Sequence, residues 1–308
     1  MNRIEFLRKS INSLSNRGLL RTIILGFTEI LAYHVLPNSI LSSEIFVKLR
    51  FTTLNGYFFD IDNPSTFNEK IQHRKFHTHD SRYAEISDKY AVRSLVSEKI
   101  GDHILTNLHY VTDDPESIPF GSLPDRYVVK PNHMSGEIRF VDSNDDVDAD
   151  EIKRQCDEWL ASTYGQSMGE YWYADIPPRI LFEEDLRDDD YSPPDDYKFY
   201  VFDGHVRYIH VDTNRFTNHR RRFYDREWNP QRFTLAHELA PVTPRPSRFN
   251  EMLEIAEKLG AGFDFIRVDL YEAADDSVLF GEMTVAPGGG TEQFTPTRMD
   301  AEFGEHWN

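Results

Sequence analysis

A mixed fold of helices and sheets, α+β or α/β, is what this chain predicts, and three observations carry the prediction. The strands cluster late, in two hairpins at 196–214 and 265–285. Helical periodicity fills the segments before and between them. At 308 residues, with 39% hydrophobic and 13% aromatic content, the chain can bury a sizeable core.

Taken in order, residues 5–54 read as helices. Within them GLLRTIILGFTEILAYHVL, 18–36, is the most apolar stretch, but Arg21, Glu29 and His34 interrupt it and Pro37 follows. That much charge argues against a membrane span, and no signal-peptide cleavage pattern follows. An amphipathic helix fits better, either packed on the domain or making peripheral contact with a membrane surface. In NPSTFNEKIQHRKF, Ser65 or Thr66 can cap a helix, with Glu69 placed for a capping box. SDKYAVRSLVSEKIG, 87–101, reads as another capped helix that stops at Gly101. DRYVVKPNHMSGEIRFVD, 125–142, reads as strand, turn, strand, with the turn at 132–136. Residues 148–164 have helical periodicity, and RILFEEDL, 179–186, is a strand. DYKFYVFDGHVRYIHVDTN, 196–214, is a hairpin turning at Asp203-Gly204. Residues 215–247 read as loop-rich and arginine-rich, 248–260 as a helix ending at Gly260, and 297–308 as a short terminal helix.

Acids outnumber bases 52 to 34, a formal charge of −18. Such a surface repels a phosphate backbone, so nucleic acid is excluded as the expected partner. The single cysteine, Cys156, excludes a disulfide framework and a cysteine-rich metal site. A reduced, cytoplasmic setting follows, at the inner face of a membrane if 18–36 touches one.

The second hairpin carries the chemistry. With its turn centred between Asp275 and Asp276, Asp269 falls opposite Glu282 and Arg267 opposite Thr284. Opposed side chains share a face at about 5 Å between Cβ atoms. The other face takes Ile266, Val268, Leu270, Met283 and Val285 into the core. Two acids that close need a cation between them, and oxygen ligands of this kind suit Mg²⁺ completed by phosphate and water. Arg267 beside them could hold a phosphoryl oxygen with two N–H groups. The PGGG that follows, with Gly288 and Gly289, lets a second substrate approach backbone N–H groups. The competing reading is an exposed hairpin in which Arg267 merely neutralises the acids.

Two lysines extend the pattern. Lys130 ends a strand before the glycine-containing turn PNHMSGE, and Lys198 follows Asp195 and Asp196 in another strand. Lysine is a compact charge suited to phosphate. Neither a GxxxxGK[ST] loop nor the kinase HRD and DFG triplets occur. RFTNHRRRFYD, 215–225, concentrates arginine around His219 in an acidic protein. It reads as a site for an anionic substrate built on Arg215, Asn218, His219 and Arg220, or as surface ion pairs. His205 and His210 read as structural.

The series TFNEKIQ, DKYAVR, YVVKPNHMSGE, ILFEEDL, DYKFYVFDG, DTNRFTNHRRRFYD, GFDFIRVDLY and FGEMTVAPGGG resembles, in order, the ATP-grasp superfamily. Within it, the chain is similar to the TupA-like group, linked to teichuronopeptide and capsule polysaccharide synthesis. The resemblance covers 51–304. Its RVD…GE hairpin is general to the superfamily, and FNEKI and DYKF…RFTNH…FYD are more specific. It implies an α+β fold in which two subdomains clasp ATP. The expected division is a helical segment 1–64, a reduced preceding region 65–125 and an ATP-grasp domain 126–308. Lys130 and Lys198, with Asp196 beside it, would meet the phosphates, and His133, Ser135 and Gly136 would cover them. Glu183, Glu184 and Leu186 would line the adenine–ribose edge. Asp269 and Glu282 would bind one or two Mg²⁺ ions, with Thr284 where relatives often place a third ligand, Asn. Arg267 would steady an acyl phosphate, so Arg267 and Lys198 are the implied catalytic pair. The implied activity joins a carboxylate, in a uronic-acid-containing polysaccharide or its precursor, to an amine. Met134 and Glu137 replace glycines of the family's phosphate loop, which leaves open a catalytically weak nucleotide- or glycan-binding component. A glycosyltransferase is the further alternative, with DDD at 188–190.

Overall fold

The computed structural model describes residues 44–308 apart from 166–167, 189, 214–218 and 274. The amphipathic segment 18–36 lies outside the described residues. Among the described residues no helix is long and apolar enough to cross a membrane.

Helix α1 (Glu44–Asn55) leads, and its Phe51 closes a small cluster with Phe59 and Ile61. Helix α2 (Phe67–His77) starts where expected: Thr66 accepts from the Glu69 N–H and Glu69 answers it, completing the capping box. The segment read as one helix over 87–101 is two, α3 (Arg82–Ser87) and α4 (Val92–Lys99). Ser87 ends the first of them rather than capping the second. Asp88 breaks the run, because its carboxylate accepts from the Tyr90 N–H and from Asn132 Nδ2, both at 2.8 Å.

A four-stranded antiparallel sheet comes next, in the order β1 (Leu108–Thr112), β4, β2, β3. Strands β2 (Tyr127–Pro131) and β3 (Arg139–Val141) pair as the strand–turn–strand reading required, with Tyr127 opposite Val141. Helix α5 (Ala149–Leu160) then covers one face, and β4 (Ile180–Glu183) slots between β1 and β2. Strand alternation sorts the side chains. Tyr127, Val129 and Phe182 pack with Ile152, Cys156 and Trp159 of α5. Val128, Lys130 and Glu183 face the other way.

The six-stranded sheet runs β11, β10, β5, β6, β7, β9, antiparallel except for the last pair. Strands β5 (Asp196–Phe202) and β6 (His205–Thr213) form the first hairpin. Asp203 and Gly204 both have positive φ, 48° and 78°, as a tight two-residue turn requires. The stretch read as loop-rich contains β7 (Arg220–Asp225), β8 (Thr234–Leu235) and β9 (Glu238–Leu239). Strand β7 was obscured by its arginines: Arg221 points inward and is bonded to Asp212, so it occupies a core-facing position without being apolar. Helix α6 (Phe249–Gly260) packs on the sheet's apolar face. A Cβ on Gly260 would lie 2.6 Å from Val201, so the helix end needs glycine to rest there. Strands β10 (Phe265–Glu272) and β11 (Val278–Thr284) complete the sheet, and β12 (Phe294–Thr295) pairs with β8. Helix α7 (Arg298–Glu305) closes the described chain.

Helix α2 ties these parts together through polar side chains. Asn68 Nδ2 donates to the Glu292 carbonyl at 2.9 Å, and Lys70 Nζ to that of Gly304 at 3.0 Å. Gln72 Nε2 reaches the carbonyls of Gly289 and Gly290. Arg74, 2% exposed, bridges the carbonyls of Phe265 and Val285 at 3.0 Å each and pairs with Asp264. Its guanidinium also lies 4.2 Å from the Trp307 ring centroid. The polar run FNEKIQHRK is thus largely an inward-facing clamp on C-terminal backbone.

That clamp is tight enough to test. A Cβ on Gly304 would lie 2.2 Å from the Ser65 carbonyl oxygen, whereas one on Gly121 would meet nothing within 4 Å. Gly304→Ala should therefore lower the unfolding free energy measured in denaturant by roughly 1–3 kcal/mol or more, and Gly121→Ala should leave it within about 0.5 kcal/mol. Equal unfolding free energies for the two variants would show that the α2–α7 contact is loose.

Candidate active site

The two sheets face each other across a cleft of about 290 Å³. The six-stranded sheet contributes Asp196, Lys198, Asp212, Asp269 and Glu282, and the four-stranded sheet contributes Val128, Lys130 and Glu183. Apolar surface comes from Ile138, Phe140, Leu186 and Phe280. One region of the lining therefore suits a flat apolar ring and another suits phosphate.

The charged floor follows from strand register. Asp269 pairs with Glu282, and Arg267 with Thr284, as the hairpin spacing predicted. Beyond that point the ladder slips by one residue, because Gly281 is an extra residue between Glu282 and Phe280. A Cβ on Gly281 would lie 2.9 Å from the Tyr271 ring, so the bulge needs glycine. On the other side of β10, Asp269 is paired with Lys198 of β5, and Lys198 in turn with His210 of β6. Glu282, Asp269, Lys198 and His210 thus form one row across four strands.

The contacts within the row are short. Arg267 donates through Nε and Nη2 to the two Asp269 oxygens, both at 2.7 Å, and through Nη2 to Glu282 at 2.8 Å and Thr284 at 2.9 Å. Lys198 Nζ donates to Asp269 at 2.6 Å and also to Asp196. Burial pushes the Asp269 carboxyl upward, against the pull of Arg267 and Lys198 and with the push of Glu282 and Asp196. Burial also opposes the charge on Arg267, but Asp269 and Glu282 outweigh it and hold the guanidinium protonated.

Across the cleft, Lys130 Nζ meets Glu183 at 2.6 Å, and Thr106 and Arg93 brace the same carboxylate. Lys89 donates to the Met134 carbonyl in the turn after β2. Burial pulls its pKa down to about 8, with Glu282 opposing and Lys130 reinforcing the shift.

The donor chemistry fits a hard divalent ion: Asp269 and Glu282 present carboxylate oxygens side by side, and Glu282 is 40% exposed towards the cleft. Among the described residues no group of three or more His, Cys, Asp or Glu could hold a metal ion. Two carboxylates would therefore need phosphate and water to complete a coordination shell.

The structure brings Lys130, Gly136, Glu183, Glu184, Leu186, Asp196, Lys198, Asp269 and Glu282 onto one cleft lining. Other expected residues lie elsewhere. His133 is buried, with its ring nitrogens 3.2 Å from Asn132 Oδ1 and 3.3 Å from the Ser162 carbonyl, so it holds the turn from behind. Ser135 lines a smaller neighbouring cavity with Lys89, Glu282 and Thr284. Arg267 lies beneath the lining, and all four of its contacts described above run to Asp269, Glu282 and Thr284. The Gly289 carbonyl is held by Gln72 and Lys75, and its N–H bonds to Ala286, so this glycine answers the close approach of α2. Gly288 stays exposed. His219 and Arg220 lie on or beside β7, Arg220 3.8 Å from Glu238, while Arg215 and Asn218 are outside the described residues.

Sequence reasoning missed Lys89 and Asp212. Lys89 sits in DKYAVR, a segment with no charge pattern of its own to mark it. Asp212 was hidden by a second bulge: beyond the turn, Arg207 is an extra residue, and Asp196 faces Asp212 instead of Val211.

The family model for TupA-like ATP-grasp proteins matches residues 69–308. Among solved structures, the chain is similar to the ATP-grasp ligase PsnB complexed with a minimal precursor (16% identity, TM-score 0.39, covering 66% of this chain and 54% of that one). It is similar also to a D-alanine–D-alanine ligase from Bacillus anthracis complexed with ATP (14%, 0.39, 65% and 54%). A third is N5-carboxyaminoimidazole synthase from Aspergillus clavatus in complex with ADP and 5-aminoimidazole ribonucleotide (14%, 0.39, 65% and 44%). The chain spans about half the length of these proteins. No curated protein matches it.

The two acids should differ sharply when altered. Asp269→Ala leaves Arg267 and Lys198 buried without their shared carboxylate, and should cost roughly 3–5 kcal/mol in urea unfolding. Glu282→Gln, at the cleft surface, should cost under about 1 kcal/mol. Comparable losses would show that the row is not braced as the distances indicate.

Proposed function

The chain belongs to the TupA-like ATP-grasp family, and on that premise we propose that it is an ATP-dependent carboxylate–amine ligase. The observation that carries this reading is the pairing of Asp269 with Glu282 on the floor of a cleft whose opposite wall presents Lys130. Nucleotide phosphate is the ligand that needs both features at once.

In this mechanism Val128, Ile138, Phe140 and Leu186 hold the adenine and keep water from it. Lys130 and Lys198 exchange part of their carboxylate contacts, to Glu183 and to Asp196 and Asp269, for phosphate oxygens. Lys89 turns from the Met134 carbonyl towards the same phosphates. A divalent ion bound by Asp269 and Glu282 would supply positive charge against that developing on the transferred phosphoryl group. Arg267 bonds both acids, so the site is preorganised before the substrate arrives. The carboxylate substrate takes the γ-phosphoryl group, the amine displaces it, and an amide, ADP and phosphate result.

A uronic-acid-containing polysaccharide or its precursor is the proposed carboxylate, supported by the family's association with such polymers. A second reading, a weakly catalytic nucleotide-binding component, is favoured by one observation. Glu137 lines the cleft where relatives carry glycine, and an acid there opposes phosphate.

Calorimetry with Mg-ATP tests the binding step. Lys130→Ala should weaken binding about tenfold or more, the loss expected for one charge-assisted phosphate contact; an unchanged Kd would confine Lys130 to its pair with Glu183. ADP release should then require both a uronic acid and an amine. Binding without acid-dependent ADP release would favour the second reading.

A further inference from the structure

Beside the phosphate face lies a second charged group that the ligase mechanism above does not use. Asp212 lines the cleft opposite Asp196. Its side chain is 2% exposed. One carboxylate oxygen accepts from Arg221 Nε at 2.8 Å and lies 2.9 Å from His219 Nε2. Arg221 also reaches Glu292 at 3.1 Å. Glu292 packs under the glycine turn, where a Cβ on Gly288 would lie 2.5 Å from its Cγ. The group therefore runs from the cleft wall to the turn expected to receive the second substrate.

Within it, His219 and Glu292 are the more open members, and of the two only His219 is an imidazole. Its side chain is 22% exposed, while those of Asp212 and Arg221 are closed off. The His237 ring lies against it, tilted by 37°, with centroids 3.7 Å apart. Burial, Arg221 and His219 push the His237 pKa down to about 4. Burial opposes charge on Asp212, but the Arg221 guanidinium bonded to it pulls its carboxyl well below the usual range, while burial pushes the neighbouring His210 down. The neighbouring guanidinium groups already have partners: Arg221 holds Asp212 and Glu292, and Arg222 Nε donates to the Ala240 carbonyl at 2.5 Å. Among the described residues of RFTNHRRRFYD, Arg220 lies 3.8 Å from Glu238, and His219 carries a ring lone pair that can take a proton beside Asp212.

We propose that His219 is the general base for the acceptor amine, with Asp212 as the positioning residue that orients its ring. This rests on the ligase reading. An amine reaches the site as an ammonium ion, which has no lone pair to attack with. An Asp212 oxygen lies 2.9 Å from Nε2, so Nδ1 is the ring nitrogen left to accept a proton. Nδ1 takes one proton from the ammonium nitrogen. The freed electron pair forms the C–N bond at the acyl carbon, and the C–O bond to phosphate breaks with its electrons going to oxygen. The remaining excess N–H proton leaves with inorganic phosphate, and His219 returns its proton to solvent.

Hydroxylamine separates this role from a structural one. It is uncharged at neutral pH and attacks acyl phosphates without a base. The full chain is assayed at pH 7 with ATP, magnesium and a panel of uronic acids, using either hydroxylamine or amino acids as acceptor, and hydroxamate, amide and ADP are measured. His219→Gln is expected to keep hydroxamate formation within about threefold of wild type and to lose about a hundredfold or more in amide formation. Asp212→Asn should show the same asymmetry. Equal losses with both acceptors would make His219 structural, and no loss with either would remove it from the reaction. A wild-type protein that forms hydroxamate but no amide with any amine has no working base, which also overturns the proposal. A wild-type protein silent with every acid, even with hydroxylamine, removes the ligase reading and this inference with it.

Discussion

Two carboxylates on adjacent strands of a buried sheet face repel each other, and the rest of the site is arranged around that repulsion. Arg267 touches both acids and the Thr284 hydroxyl. Lys198 meets Asp269 from the other side. Arg267 lies beneath the cleft lining, and Lys198, which is part of that lining, is itself almost wholly buried. Arg267 stabilises both acids from below and Lys198 stabilises Asp269 alone, while Glu282 stays 40% exposed on the cleft side. This is preorganisation in the electrostatic sense: the unfavourable work of bringing like charges together is done on folding, before any ligand binds.

Helix α2 makes that arrangement mechanically possible. Arg74 holds the Phe265 carbonyl at the start of β10 and the Val285 carbonyl just past β11, the two places where the hairpin could splay. Gln72 and Lys75 hold the glycine turn that follows. A helix polar on its buried side is costly unless its groups are paired, and here most of the donors meet backbone carbonyls or the carboxylates of Asp264 and Asp300. The same residues thus stabilise the fold and hold the hairpin bearing the acids in place.

Much of this was legible in the sequence. The capping box at Thr66, the Asp203-Gly204 turn and the facing of Asp269 with Glu282 all follow from local rules with a period of two or a fixed offset. What could not be read was where such periodicity breaks. The bulges at Gly281 and Arg207 each shift a register by one residue, and the second moves Asp212 onto the working face. Strand β7 was hidden because an inward-facing arginine paired with a buried aspartate looks polar in sequence. Asp88 split a helix that periodicity alone joined. The roles of α2's polar residues depended on partners more than 190 residues away, which no local pattern reveals.

The central claim is that Asp269 and Glu282 together hold a divalent ion against nucleotide phosphate. Anomalous diffraction from crystals grown with Mn²⁺ and a non-hydrolysable ATP analogue tests it most directly. The account predicts a manganese peak within about 2.5 Å of an oxygen from each carboxylate and of a phosphate oxygen. A peak bound to phosphate alone, or bound phosphates lying away from both carboxylates, would contradict it.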